Sequence, residues 1–385
     1  MDYTCNGGVK IISKELIKPS SPTPNHLKNL KLSLLDQLSP PVYISLIFFY
    51  EADELKGLID GNTDHAQICQ HLKQSLSNTL TLFYPLAGKI DPDNFTIDCN
   101  DNGVEFIEAR AQARLKDILH DPKLDQFQQY LPVDPLGGIY RGEGTLFMLQ
   151  INFFDCGGIA IGACISHIVA DGSSLVEFMN AWASTCRGQK PKPAKKFGVM
   201  ANYFPARDLS DSNISPSILM GNDKLVTKVN IRSRANASLE MEHAFGNGYF
   251  LAAAYSPDCD EGSCVPQLHE LVSKLRRAIR RVDYEYVQEA QDEDRYLSDL
   301  GELSDLATQG EVEAFVFSSW CRFPFYEVDF GWGRPVWVCT TALLLNNLAI
   351  LMSTRSGDGI ETWINLLPDK LEAFENEFKL IGTIN

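Results

Sequence analysis

The sequence predicts an α/β protein of two domains joined by a crossover linker, on three observations. Runs of β-branched and aromatic residues, strand-like in composition, alternate with stretches whose apolar residues recur every three or four positions. The chain has 385 residues, 44% of them hydrophobic, which is too long for one ordinary core and enough to fill two. A Pro-, Ser- and Lys-rich stretch without periodicity divides it near the middle. These place a first domain at 1–188, a linker at 189–228 and a second domain at 229–385.

The elements follow in order. After an extended entry through KPSSPTP and the stretch LKLSLLDQL, the run VYISLIFFY (43–50 with its lead residue) reads as a buried strand. Ile68, Leu72, Leu76 and Leu80 recur every fourth residue and line one face of a helix; FYPLAGKI then breaks it and leads into a strand. FTIDCN and VEFIEAR flank DNG (101–103), whose Asn and Gly accept the positive φ of a tight turn, so a hairpin is expected there. TLFMLQINFFD and IAIGACIS, joined through CGG, read as paired central strands, and His167 follows the second of them directly. Gly172, Ser173 and Ser174 offer a turn and an N-cap for a helix carrying Leu175, Phe178, Met179 and Trp182, which ends near Arg187 and Gly188. Beyond the linker come strands at VTKVNIRSR and in HAFGNGYFLAAAY, then an acidic helical stretch at 265–306. Strands at EAFVFSSW and VWVCTTALLL, a closing hairpin ILMSTRSGDGIETWINL and an amphipathic DKLEAFENEFKL complete the second domain.

Charge and cysteine usage exclude several classes. Thirty-four Lys and Arg against fifty Asp and Glu give a formal net charge of −16, which repels nucleic acid and anionic lipid. The longest basic run, KPKPAKK (190–196), is Pro-rich and without aromatic residues, as a solvated linker is. The N-terminal MDYTCNGGVKIISKELI lacks the basic lead and unbroken apolar core of a secretory signal, and nowhere do eighteen apolar residues run together. A cytoplasmic protein without membrane or nucleic-acid partners is expected. The ten cysteines are scattered without a C-x-x-C pair, and Cys259 and Cys264 have no His cluster beside them, so no metal site is expected.

Chemistry points to SHIVADG (166–172). Of the seven histidines only His167 has an aspartate four residues on. It lies where a buried strand gives way to a Gly-bearing turn, where an imidazole can project from a rigid backbone and accept a proton near neutral pH. A satisfied core histidine is the competing interpretation. Asp171 could orient that ring, or turn away and pair with an arginine to fix the loop. No G-x-S-x-G elbow, Walker loop, H-E-x-x-H or kinase signature offers a rival.

SHIVADG together with DFGWG (329–333) resembles the paired signature of the plant BAHD acyl-CoA-dependent acyltransferases. The resemblance extends nearly end to end, through ELIKPSSPTP, LSLLDQL, HLKQSLSNTLTLFYPLAGKI, CNDNGVEFIEAR, VNIRSR, FGN and SSWCRFPFYEVDFGWGRP, and is strongest to the alkaloid-acetylating members. It implies two chloramphenicol-acetyltransferase-like domains with a channel between them and a monomeric enzyme. Acyl-CoA, acetyl-CoA in the alkaloid-acetylating members, would be the co-substrate, with no permanently bound cofactor and a small-molecule alcohol as acceptor. By the same resemblance His167 is the general base, and Asp171 is its structural support, paired with Arg232. Asp329, Phe330, Gly331, Trp332 and Gly333 serve fold integrity and the architecture of the CoA side. Ser318 and Trp320 stand where the family places donors near the transfer centre, and Arg322 is an acceptor-side candidate.

One departure bears on activity. Family members continue from GNDKLVTK into a further strand and two helices, whereas here LVTK (225–228) meets VNIRSR (229–234) directly; ANASLEM (235–241) replaces the family's Pro-rich segment. The expectation is a second domain lacking its opening strand and helices at Lys228/Val229. The alternative to an enzyme is then a non-catalytic relic that retains a ligand pocket.

Overall fold

The computed structural model describes residues 8–52, 65–134, 144–190, 196–209, 214, 223–235, 239–254, 268–292, 294–308, 313–341, 343 and 346–382. Most of the basic run 190–196, along with Cys259 and Cys264, lies outside them. The chain divides into two compact units. The first comprises 1–208, 237–248 and 323–342, and the second 209–236, 249–322 and 343–385. The first unit therefore includes two segments from beyond residue 228, and DFGWG is in one of them.

In the first unit the strands are β1 (Val9–Ile17), β2 (Asn29–Lys31), β3 (Tyr43–Tyr50), β4 (Lys89–Asp91), β5 (Thr96–Asp98), β6 (Val104–Ala111), β7 (Phe147–Phe154) and β8 (Ile159–Ser166). Its helices are α1 (Leu34–Gln37), α2 (His65–Leu82), α3 (Leu115–His120), α4 (Leu124–Phe127), α5 (Gly172–Cys186), α6 (Val199–Tyr203) and α7 (Leu239–Glu242). The second unit contributes strands β9 (Asp223–Asn230), β10 (Tyr249–Ala254) and β11 (Glu313–Ser319). Strand β12 (Trp337–Cys339) belongs to the first unit, and β13 (Leu348–Ser353) and β14 (Ile360–Asn365) to the second. Helices α8 (Leu268–Arg281), α9 (Tyr284–Asp292), α10 (Arg295–Thr308) and α11 (Pro368–Gly382) complete the second unit.

The main sheet of the first unit has the order β1-β6-β7-β8-β3-β12. Every residue of β7 and β8 is buried, which explains why both read as continuous apolar runs: a central strand covered on both faces has no polar side to show. They pair as expected, and the pairing is antiparallel. The polar exceptions on β7, Gln150 and Asn152, are satisfied by the Gln129, Tyr130 and Ala160 carbonyls and by each other. Helix α2 packs on α5, and the Trp182 indole N–H of α5 donates to Leu72 O (3.2 Å) and Ser75 Oγ (3.1 Å).

The hairpin expected at DNG does not form. Strand β5 joins β2 and β4 in a three-stranded sheet, whereas β6 joins β1 and β7 in the main sheet. The turn itself is real: Gly103 has φ +101°, and an added Cβ would meet Ile17 O at 2.7 Å. Thr23 donates through N (2.8 Å) and Oγ1 (2.6 Å) to the Asp101 carboxylate, so the turn is tied to the entry segment and sends the chain from one sheet to the next. The N-cap of α5 is Asp171, one residue before the Gly-Ser-Ser that suggested a cap. VWVCTTALLL, expected as a strand of the second domain, supplies β12, which pairs antiparallel with β3 in the first unit.

The sheet of the second unit runs β10-β9-β11-β13-β14, with β13 and β14 forming the expected closing hairpin. Val226 and Val316 form one buried cluster of this sheet, packed against by Leu251, Ala253 and Leu348. Strand β9 begins at Asp223, inside the stretch whose composition marks a linker, and runs without a break across Lys228–Val229. It pairs on one side with β10, Lys228 opposite Leu251 and Val229 opposite Phe250, and on the other, in parallel, with β11.

Gly162, on β8, has no room for a side chain. A Cβ there would lie 2.1 Å from Tyr130 O. Gly162→Ala is expected to lower stability by about 1–3 kcal/mol, the usual cost of overpacking a filled core. Urea unfolding of the purified variant checks it, and an unchanged midpoint would show that the backbone at Tyr130 yields freely.

Candidate active site

The position of His167 follows from the end of β8. The Ser166 amide donates to Leu146 O and the His167 amide to Val42 O, both at 2.8 Å, so flanking segments on both sides hold the backbone where the strand ends. The chain then turns, with Val169 N and Ala170 N donating to Ser166 O at 3.1 and 3.2 Å. The imidazole is buried, 5% exposed, and its Nδ1 lies 3.1 Å from Oδ1 of Asn247.

Asp171 ends the turn and starts the helix. Its Oδ1 accepts from Ser174 N (2.9 Å), the N-cap bond of α5. Its Oδ2 accepts from Gly248 N (3.1 Å), while Ser174 Oγ meets Gly246 on both sides, at its carbonyl (3.0 Å) and its amide (3.2 Å). The N-terminus of α5 is thus fastened to residues 246–248. The five residues from His167 to Asp171 are the length of chain that takes the ring off the strand and brings the carboxylate to the cap. Asp171 is thus bonded to the segment that carries Asn247, the amide that meets His167.

Asn247 has no local signal in the sequence, since it lies 80 residues from His167. Only the resemblance of FGN (245–247) to its family marks it, and that attaches no role to it. Asn247 is fully buried, and its Nδ2 donates to His167 O (2.7 Å).

DFGWG is a self-capped turn in the first unit. Asp329 Oδ1 accepts from Gly331 N (2.7 Å) and Gly333 N (2.9 Å), and both glycines hold positive φ, +105° and +107°, which explains why they are glycines. Phe330 and Trp332, on either side of Gly331, reach into the core. Phe330 meets Trp182 edge-on at 4.7 Å and Trp332 meets Tyr50 at 6.0 Å, while Tyr50 Oη donates to Val328 O (2.8 Å). Burying Phe330 contributes about 1.5–3 kcal/mol.

The remaining candidates are in the second unit. Ser318, on β11, is buried and accepts the Trp320 indole N–H at 3.0 Å; Trp320 N donates to Leu351 O (2.7 Å). Arg232 is buried just after β9, with its amide on Asn230 Oδ1 (3.0 Å), and Arg322 is exposed. The structure thus groups the candidates as His167 with Asp171 through residues 246–248, the DFGWG turn on Tyr50 and Trp182, and the Ser318–Trp320 pair.

Thiols offer no rival nucleophile among the described residues for which a shift is resolved. Burial pushes Cys69, Cys99 and Cys164 up to about 12 and Cys186 to about 11, so they stay protonated at neutral pH. No group of three or more His, Cys, Asp or Glu side chains among the described residues could hold a metal, and none of their helices is long and apolar enough to cross a membrane.

The model of the Transferase family matches residues 8–212 and 206–381. The chain is 36% identical to stemmadenine O-acetyltransferase of Catharanthus roseus over 428 residues, covering 96% of this chain and 97% of that one. It is 36% identical to vinorine synthase of Rauvolfia serpentina over 418 residues, 94% of each. The crystal structure of vinorine synthase matches with a TM-score of 0.78 at 34% identity, over 94% of this chain and 96% of that one. F. sporotrichioides TRI101 shares the fold, with a TM-score of 0.63 at 14% identity over 90% and 96% of the two chains.

Asp171→Ala removes a helix cap, worth about 0.5–2 kcal/mol, and strands the buried Gly248 N–H, a further cost of about 1–3 kcal/mol. A combined loss of roughly 2–5 kcal/mol in chemical unfolding is expected. A loss below about 1 kcal/mol would mean that Asp171 does not fasten the 246–248 segment.

Proposed function

We propose that this chain, which belongs to the BAHD Transferase family, carries an acyl group from acyl-CoA to the hydroxyl of a small plant metabolite, with His167 as the general base. The single observation that carries this is the His167 imidazole, fixed at the end of a buried strand with Nδ1 on an amide and a caged backbone. Such a ring is preorganised to accept a proton without rearrangement.

The chemistry balances without a covalent enzyme intermediate. His167 takes the proton of the acceptor O–H as that oxygen attacks the thioester carbonyl. The tetrahedral intermediate collapses with cleavage of the C–S bond, and the imidazolium returns its proton to the departing CoA sulfur. Ser318 is the proposed donor to the developing oxyanion. By accepting the Trp320 indole N–H, its hydroxyl is polarised toward donation, and Trp320 supports it. The donor is acetyl-CoA and the acceptor an alcohol of the alkaloid or terpenoid kind. Support comes from the relatives: stemmadenine O-acetyltransferase and, at 31% identity, limonoid 21-O-acetyltransferase of Citrus sinensis are named for O-acetyl transfer.

Retention of every motif residue favours an enzyme over a relic, and β9 closes the second-unit sheet across Lys228–Val229. Free-thiol release from acetyl-CoA with a panel of alkaloid and terpenoid alcohols is the test. Acceptor-dependent release is expected, and His167→Ala should lower it by about 10²–10⁴-fold. A folded protein that releases no CoA with any acceptor would leave a ligand-binding relic as the function.

A further inference from the structure

One buried carboxylate lies beneath the His167–Asn247 contact. Asp36, in α1, is 6% exposed and forms a capping box with Ser33. Its Oδ2 accepts from Ser33 N (2.8 Å) and Ser33 Oγ (2.7 Å). Its Oδ1 accepts from Asn247 twice, from the backbone N–H (3.2 Å) and from Nδ2 (2.8 Å). Burial raises the Asp36 carboxyl above the usual carboxylate range, and the Ser33 and Asn247 donors pull it back.

The consequence lies in the two ends of the Asn247 amide. An amide offers donors at one end and an acceptor at the other. Nδ2 faces two groups that accept, the Asp36 carboxylate and His167 O. The NH₂ end is therefore fixed toward them, and Oδ1 must be the atom turned to His167 Nδ1. An amide oxygen cannot donate, so the proton of that contact belongs to Nδ1. In the neutral ring the lone pair is then on Nε2.

We propose that Asp36 is a positioning residue that sets the tautomer of His167 by orienting the Asn247 amide, so that Nε2 is the atom that takes the acceptor's proton. Its importance for turnover rests on the acyl-transfer function above; the tautomer itself does not. Without the carboxylate, Asn247 keeps one acceptor for its NH₂ and can turn over. An NH₂ facing Nδ1 would place the ring proton on Nε2, where the imidazole cannot act as a base.

The test uses the full chain labelled with [¹⁵N]histidine, with His167 assigned by its loss in His167→Gln. The ¹⁵N shifts of the neutral ring in the unsubstituted protein should report a proton on Nδ1 and none on Nε2; the opposite tautomer would overturn the proposal. Asp36→Asn is the variant to compare, because it is isosteric and its single carbonyl oxygen cannot serve both Ser33 and Asn247. It should show a mixture of tautomers and a kcat about tenfold lower with KM within about twofold, as when one molecule in ten holds the competent ring. A folded Asp36→Asn with an unmixed Nδ1–H tautomer and unchanged kcat would also overturn it. Because the tautomer is read without substrate, an inactive parent protein would count against acyl transfer and leave the role of Asp36 decidable.

Discussion

Everything around His167 depends on one constraint: Asn247 is fully buried, so each of its polar groups must be satisfied inside the protein. Its backbone N–H and Nδ2 find Asp36, Nδ2 also finds the carbonyl of His167, and Oδ1 finds the ring. These bonds join three segments far apart in the chain, around residues 36, 167 and 247. Asp171 and Ser174 reinforce the arrangement by holding the residues on either side of Asn247. The H-x-x-x-D aspartate is thus linked to the histidine at one remove, through the backbone that carries Asn247.

The second signature works by geometry of another kind. DFGWG is a turn that closes on its own carboxylate, with glycines where φ is positive and aromatic residues where the core is open. Its hydrogen bonds are local, and residues 337–339, a few positions on, pair with β3 at the edge of the main sheet. Trp337 stacks on Phe49 there at 5.7 Å.

The parts of this fold that local patterns encode are legible in the sequence. The buried strands β3, β7 and β8, the helices α2 and α5 and the position of His167 all follow from periodicity and turn chemistry, because each is set by residues within a few positions of one another. Partner choice is not encoded that way. DNG specifies a turn, but whether β5 and β6 then pair depends on which sheet edge each meets, and β2 and β1 claim them separately. The same reason hides Asn247 and Asp36, whose chemistry exists only after 80 and 211 residues of separation have been folded away. Composition likewise marks a linker up to residue 228, although Leu225, Val226 and Thr227 are ordinary strand residues whose pairing with β10 and β11 decides the matter.

The antiparallel pairing of β12 with β3, Cys339 opposite Ile47, has a consequence in time. As the chain leaves the ribosome, the edge of β3 emerges early, with Ile47, Phe48 and Phe49 along it. At a synthesis rate of about 5–20 residues per second, roughly 15–60 s pass before its partner emerges. Until then the main sheet has an open, aromatic edge of the kind that recruits other chains. A fold that takes its last strand from so far downstream therefore places a burden on chaperones during synthesis. It also makes any truncation ahead of Trp337 an aggregation hazard, even though the residues around His167 would already have been made.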